Sequence, residues 1–321
     1  QVVDLPKYSP LRPSITHDDM CAIDVVLAMA KKPLILLGGT CWSDKDRTSV
    51  GKFANENCLP VITSFRRQDL IDNKLENFVG ALGTSVSPVL LTRIKEADAI
   101  LVIGARLSDM STQNYSLLDA FSSNQKVVHI YPDADDIGNF FKPELAILSG
   151  VSIAVEKLLN HKWKFNRLSW VSWLKILQGE YENDIKLYDS GEKLDLVKIF
   201  HFLNSSIPDN SIITLDAGNH TGWPQRYLSY GNLKRQISST CGAMGYSIPA
   251  GVACSLIHPD RLVVSFVGDG GFMMSGLEIA TAIQYQLNPI IIVFNNGMYG
   301  TIRMHQEKEY PNRVIGTDLE D

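Results

Sequence analysis

The sequence predicts an α/β fold made of two three-layer domains, each with a parallel sheet covered by helices on both faces. Apolar runs of four to six residues alternate with helical patterns along the chain. The runs are apolar throughout, which is typical of strands buried on both faces of a parallel sheet. With 321 residues, the chain is also long enough for two average domains.

The first domain is predicted at residues 1–160. Its apolar runs end at or close to glycine or proline, which punctuate strands. The predicted strands are Leu34–Leu37, Ala99–Ile103 and Val127–Ile130, and the predicted helices include Met20–Ala30 and Arg47–Asn57. Helical crossovers between the strands predict that they run parallel.

Residues 161–192 are predicted to form a helical linker to the second domain. The pattern over residues 151–183 is helical with little strand character, and three tryptophans lie there among lysines and glutamates: Trp163, Trp170 and Trp173. We interpret this stretch as a helix packed across the domain junction.

The second domain, residues 193–321, repeats the same alternation. Its predicted strands are Ser211–Leu215, Leu262–Val267 and Pro289–Phe294, and its predicted helices are Leu194–Leu203, Tyr246–Leu256 and Leu277–Gln286. Ligands of open α/β sheets bind beyond the carboxyl ends of the strands, so the residues directly after these strands are candidates for a site.

Composition and charge exclude several classes of function. The net charge is −5 and no basic cluster is long enough to bind a phosphate backbone, so nucleic acid is not expected as a partner. No apolar run approaches the roughly 18 residues that span a bilayer. No signal peptide is recognisable either, so we expect a cytoplasmic protein without a membrane partner.

The cysteines argue for the same compartment. They are odd in number and scattered, and none forms a C-x-x-C pair, which argues against a disulfide framework or a zinc cluster. We interpret them as reduced thiols of the core: Cys21, Cys41, Cys58, Cys241 and Cys254.

Two strand ends of the second domain carry oxygen ligands. Gly268-Asp269-Gly270 follows one predicted strand, and Asn295-Asn296 follows the next. Mg²⁺ prefers hard oxygen ligands and usually takes phosphates as further ligands. Twenty-four residues separate the motifs, the length of one helix and one strand, which brings both motifs to one edge of the sheet. Each motif is weak alone, but the pair at this spacing predicts a magnesium–diphosphate site.

The glycines beside Asp269 suit an anion. Gly268, Gly270 and Gly271 lack a β-carbon, so the backbone can approach a diphosphate closely. The next helix is predicted to begin near Met274, and its free N–H groups favour the same anion.

These residues resemble the signature of the thiamine-diphosphate enzyme family. Three further segments agree with its acetolactate-synthase-like branch: Ser211–Trp223 with its Asp-Ala-Gly-Asn-His loop, Gly242–Ala250, which fits G-x-M-G-x-x-x-P-A, and Arg303–Glu307. The resemblance covers nearly the whole chain. It implies a Rossmann-like central domain followed by a thiamine-diphosphate-binding domain.

The resemblance also implies roles for single residues. The metal ligands would be the side chains of Asp269 and Asn296 and the backbone carbonyl of Met298. The cofactor contacts would come from Asn219, His220, Gly242, Met244, Gly268, Gly270 and Gly271.

Within that set, Asn219 and His220 would touch the diphosphate. The Gly242 carbonyl would accept a hydrogen bond from the aminopyrimidine. Met244 would hold the cofactor bent, which brings its amino group to the thiazolium carbon. Taken singly, Met244 is also typical of a core gap-filler, and His220 of a polar loop residue.

As a function, the resemblance implies the cofactor-binding portion of a decarboxylase or carboligase of a small 2-keto acid. Thiamine diphosphate and Mg²⁺ would be its cofactors, and a homodimer or tetramer its assembly. In the family, the catalytic glutamate belongs to a pyrimidine-binding domain that precedes the central domain, and no residue here matches it. We therefore assign no catalytic residue in this chain. We expect that domain to be absent, the last domain to be incomplete at its C-terminus, and the chain alone to be inactive.

Two alternatives stay open. One is a non-catalytic fragment or relic of such an enzyme. The other is an FAD-containing oxidase of the same family, because Gly38–Thr40 and Gly104–Arg106 follow strands of the first domain and could hold an FAD diphosphate. Neither segment forms G-x-G-x-x-G, so this second reading has little support from sequence.

Overall fold

The computed structural model describes residues 12–118, 124–231 and 233–319. Within these ranges the chain forms two parallel sheets, one of six strands and one of four, and helices flank both. The predicted α/β class with two parallel-sheet domains is therefore confirmed.

The first domain contains five helices and six strands among the described residues. They are α1 His17–Met29, β1 Pro33–Leu37, α2 Asp44–Glu56, β2 Val61–Thr63, β3 Phe78–Ala81, α3 Pro88–Glu96, β4 Ala99–Ile103, β5 Lys126–Tyr131, β6 Leu145–Leu148, α4 Val151–Asn160 and α5 Val171–Asp184. The strand order is β3-β2-β1-β4-β5-β6. This is the order of the Rossmann fold, in which the direction of winding reverses between β1 and β4.

Local sequence explains where the first helices begin. Thr16 precedes α1, and its side chain accepts a hydrogen bond from the Asp19 N–H while Asp19 accepts from the Thr16 N–H. Ser43 and Asp46 form the same reciprocal pair at α2. Each pair satisfies N–H groups that the first helical turn leaves without partners.

The helix predicted over residues 151–183 is wrong as one element, because α4 and α5 are separate. The chain leaves helical geometry at His161, and the Trp163 indole donates to the carbonyl of Leu158 at the end of α4. Trp170 and Trp173 are almost fully buried, and they pack into the clusters on opposite faces of the first sheet. The segment therefore wraps around one end of that sheet.

The second domain contains six helices and four strands among the described residues. They are α6 Leu196–Ser206, β7 Ile212–Leu215, α7 Gly222–Tyr227, β8 Arg235–Ser238, α8 Ser247–Ile257, β9 Val263–Gly268, α9 Asp269–Ser275, α10 Ile279–Gln284, β10 Ile290–Phe294 and α11 Gly300–Glu309. The strand order is β10-β9-β7-β8, and every pair is parallel.

The helix after Gly268 begins at Asp269, so the prediction of a start near Met274 is wrong. Glycine is a poor helix former, which made Gly270 and Gly271 look like loop residues. Both lie in the first turn, however, where each packs tightly against a neighbouring side chain. An aspartate at the first helical position also interacts favourably with the helix dipole.

All five cysteines are free, as predicted, but their assignment to the core is wrong. Cys41 and Cys241 are exposed and the other three are half-buried. The two exposed thiols lie in loops beyond the ends of β1 and β8, where the sheet no longer covers them. None of the helices in the described ranges combines the length and apolar character needed to cross a membrane.

Candidate cofactor and metal site

The site lies at the carboxyl edge of the second sheet. Phe294 is paired with Gly268 on β10 and β9, and Leu215 is paired with Phe266 and Ser238 on β9 and β8. The segments that follow all four strands therefore emerge side by side. The prediction that the two oxygen-bearing motifs share one edge is confirmed.

Asp269 organises the loop that follows β10. One carboxylate oxygen, Oδ2, accepts hydrogen bonds from the N–H groups of Asn296, at 3.1 Å, and Gly297, at 2.7 Å. The other, Oδ1, accepts from the N–H of Gly270 at 2.9 Å. Gly297 has φ +66°, a left-handed conformation that glycine adopts readily. Each carboxylate oxygen has two lone-pair directions, so Asp269 retains the capacity to bind a cation.

The Asn296–Met298 segment is held from both sides. The Oδ1 atom of Asn296 accepts from the Met298 N–H at 3.3 Å, and the Met298 carbonyl accepts from the Gly300 N–H at 2.9 Å. Met298 also forms an antiparallel bridge with Asp318. The loop is thus fixed before α11 begins.

Glycines let three segments meet at the start of α9. A β-carbon on Gly270 would lie 2.5 Å from the Tyr299 ring and 3.4 Å from Cε of Met244. On Gly271 it would lie 2.4 Å from Oδ2 of Asp216. The structure therefore brings Met244 against the first turn of α9.

Asn219 and His220 follow β7 and occupy different environments. The exposed Asn219 is bound twice to Thr301 on α11: its N–H donates to the Thr301 hydroxyl oxygen, and that hydroxyl donates to the Asn219 Oδ1 atom, both at 3.0 Å. His220 is stacked on Phe294, and its buried Nε2 atom has no hydrogen-bond partner in the protein. Burial, and then the nearby charge of Arg66, lower the pKa of His220 to about 4, so the ring is neutral at pH 7.

Gly242 differs from the other predicted cofactor-contact glycines because no other residue packs against it. It lies in the exposed loop after β8 at φ +73°, and a β-carbon there would find no atom within 4 Å. Its predicted contact with the cofactor is therefore neither supported nor opposed by packing.

Sequence reasoning gave no role to Asp216, Tyr299 or Thr301. Asp216 is fully buried, and burial raises its pKa although N–H groups and Arg66 favour the charged form. Its position directly after a strand, like that of Asp269, is a signal that could have identified it. No pattern in the sequence distinguishes Tyr299 or Thr301.

The oxygen donors fit Mg²⁺ better than a softer metal. In the described part of the chain, no three His, Cys, Asp or Glu side chains are grouped as metal ligands. Asp269 instead accepts hydrogen bonds from the backbone of a loop that carries an amide side chain, Asn296, and the backbone carbonyl of Met298, which are hard oxygen donors.

Comparison with known proteins identifies the family. The sequence model described as "Thiamine pyrophosphate enzyme, central domain" matches residues 23–158, and "Thiamine pyrophosphate enzyme, C-terminal TPP binding domain" matches residues 216–321. The chain belongs to the thiamine pyrophosphate enzyme family. All the cofactor and metal residues predicted from its sequence lie in residues 216–321, the range that the C-terminal model matches.

Its relatives include several acetolactate synthases. The large subunit from Cyanidium caldarium is 27% identical over 98% of this chain and 54% of the relative. That from Lactococcus lactis is 27% identical over 97% of this chain and 53% of the relative. The chloroplastic enzyme of Arabidopsis thaliana is 26% identical over 100% of this chain and 48% of the relative. The chain thus spans about half the length of the curated relatives it matches.

Proposed function

We propose that this chain is the cofactor-binding portion of a thiamine-diphosphate-dependent decarboxylase or carboligase of a 2-keto acid, similar to acetolactate synthase. The observation that carries the proposal is the hydrogen bonding of the Asp269 carboxylate to the loop of Asn296 and Gly297 at the carboxyl edge of the second sheet. A homodimer or tetramer is part of the proposal, by resemblance to the family.

In this proposal Asp269, Asn296 and the Met298 carbonyl hold Mg²⁺, and Asn219 and His220 contact the diphosphate. Three features support the fit. The donors are hard oxygens, and the loop that carries Asn296 and Met298 is fixed by hydrogen bonds to the Asp269 carboxylate. The buried Nε2 atom of His220 also lacks a partner, and a polar atom in that position favours a ligand that supplies one.

The bound cofactor supplies the electron sink for breaking the bond next to a ketone, which no side chain offers. The contribution of this chain is to bind and orient it. Met244, which lies against Gly270, is the residue we assign to holding it bent. A neutral His220 carries one N–H group and can donate it to a diphosphate oxygen without a change of its own charge.

Calorimetry with thiamine diphosphate tests the proposal. We expect binding with Mg²⁺ and none in EDTA, and we expect Asp269→Ala to abolish it. Asp260→Ala is the matched control, because Asp260 is exposed and lies before the opposite end of the same strand, β9. Equal affinity in EDTA, or an Asp269→Ala variant that binds like the wild type, would contradict the proposed metal role.

An FAD-dependent oxidase is the second candidate, and the strand order of the first sheet favours it. Winding reverses between β1 and β4, which is where dinucleotides bind in such sheets. The loops at this point are tightly packed, since a β-carbon on Gly39 would lie 1.9 Å from the Gly104 carbonyl oxygen. A yellow purified protein would favour this candidate.

A further inference from the structure

Arg66 belongs to the first domain, but its guanidinium contacts the second domain next to the candidate site. It follows β2, has φ +56° and is 3% exposed. One terminal nitrogen, Nη2, donates to the Asp216 carbonyl at 2.7 Å, and the other, Nη1, donates to the Ser239 carbonyl. A buried guanidinium is costly unless it is well hydrogen-bonded, and a non-glycine residue at positive φ adds strain. Such a placement persists where the surrounding structure requires it.

The two acceptors of Arg66 are the first residues beyond adjacent strands. Asp216 follows β7 and Ser239 follows β8, and those strands are paired up to Leu215 and Ser238. Arg66 therefore ties the starting points of two loops that enter the site.

Each acceptor in turn holds the backbone beside Met244. The Asp216 Oδ2 atom accepts from the Gly245 N–H at 3.1 Å, and the Ser239 hydroxyl accepts from the Ala243 N–H at 3.4 Å. Met244 thus lies between two residues whose N–H groups are fixed by the partners of Arg66. Two short chains of hydrogen bonds connect one guanidinium to both sides of Met244.

The chemistry of this contact favours arginine over lysine. A planar guanidinium presents donors in a fixed fork that can reach two carbonyls, whereas a lysine ammonium is a single point charge on a flexible stem. The Asp216 carboxylate also offsets the buried positive charge: burial lowers the pKa of Arg66, and Asp216 acts in the opposite direction.

We propose that Arg66 is a positioning residue that fixes Met244 and the loop of residues 239–246 for cofactor binding, acting through Asp216 and Ser239 rather than by touching the cofactor. This inference rests on the proposed function, since it gives Met244 the role of holding thiamine diphosphate. It also assigns the first domain a direct part in shaping the site of the second.

Two measurements on Arg66→Met, Arg66→Lys and the wild type test this inference. In hydrogen exchange without cofactor, we expect Arg66→Met to accelerate exchange in residues 216–220 and 239–246 and not in the first sheet. In calorimetry with Mg²⁺ and thiamine diphosphate, we expect its affinity to fall at least about tenfold, since small misplacements of binding groups weaken function strongly. Arg66→Lys should recover part of this loss. The matched control is Arg67→Met at the adjacent, less buried arginine.

The outcomes separate this inference from the proposed function. If the wild type binds the cofactor and Arg66→Met binds equally well, the positioning role is wrong and the proposed function stands. If affinity falls only in proportion to a lowered urea midpoint, and Arg67→Met behaves alike, the role is general stability and the inference is overturned.

If the wild type does not bind, the proposed function fails and the inference fails with it. Accelerated exchange confined to the two loops would then show only that Arg66 holds them. Arg66→Met should retain weakened binding that still needs Mg²⁺, whereas Asp269→Ala should show none.

Discussion

His220 is the described histidine whose pKa departs furthest from its ordinary value. Its ring is stacked on Phe294, and burial is the main reason that protonation is unfavourable in the folded state. The positive charge of Arg66 acts in the same direction, while the Asp269 carboxylate opposes it. The folded protein therefore binds a proton at His220 less readily than the unfolded chain does.

This difference predicts a pH dependence of stability. Between pH 6.5 and about 4 the unfolded chain holds the proton and the folded protein does not, so the free energy of unfolding falls as the pH falls through that window. We expect the wild type to lose about 2–3 kcal/mol more than His220→Gln between pH 7.5 and 4.5, measured by urea unfolding. The exposed His258, changed to Gln, is the control and should leave the wild-type slope intact. Parallel curves for His220→Gln and the wild type would refute the burial argument.

At the scale of elements, strands with a clear apolar run were predictable, including the four-residue β7, but most other short strands were not. The five- and six-residue apolar strands β1, β4 and β9 were predicted within about a residue of their ends. The strands β2, β3, β6 and β8 have three or four residues each, too few to show a period. Arg235–Ser238 also begins with two polar residues, and only pairing with β7 makes it a strand.

The residues of the candidate site also differ in whether the sequence could predict them. Asp269 and Asn296 were predictable because each lies within two residues of the end of an apolar strand, and parallel strands end at a common edge. Arg66 was not, because it comes from the other domain and contacts backbone carbonyls, which carry no sequence signal. The roles of the metal and cofactor residues stay predictions.

The first turn of α9 leads to a prediction about packing. Gly271→Ala should destabilise the protein by about 1–3 kcal/mol, because the new methyl group would overlap the buried Asp216 carboxylate at 2.4 Å. Gly179→Ala is the control: it lies in α5, nothing would lie within 4 Å of its β-carbon, and alanine should stabilise that helix by about 0.5–1 kcal/mol. Urea midpoints measure both. A Gly271→Ala variant as stable as the wild type would mean that Asp216 can move.

At the scale of the whole molecule, the two domains share buried hydrogen bonds. Asn73 and Tyr230 form a reciprocal pair, in which the Asn73 N–H donates to the Tyr230 carbonyl at 2.8 Å and the Tyr230 N–H donates to the Asn73 Oδ1 atom at 2.9 Å. Nearby, Gln68 and Gln236 exchange hydrogen bonds across the same junction. These contacts are inaccessible to water, so the domains are expected to unfold together.

Asn73→Ala should weaken that coupling. Its side chain also donates to the carbonyls of Gln68 and Ile71, so the change leaves several buried groups without partners and should cost about 2–3 kcal/mol. Tryptophan fluorescence reports mainly the first domain, because Trp223 alone of the five tryptophans lies in the second, whereas circular dichroism reports both. We expect the two urea curves to coincide for the wild type and to separate for Asn73→Ala.

Asn57→Ala distinguishes loss of coupling from simple loss of stability. Asn57 is also buried, but its side chain donates to the Phe53 carbonyl within the first domain. The Asn57→Ala variant should therefore shift the fluorescence and circular dichroism curves together. Coincident curves for both variants would mean that other contacts across the junction keep unfolding cooperative. Arg66 would then be one of several links that let the first domain shape the site of the second.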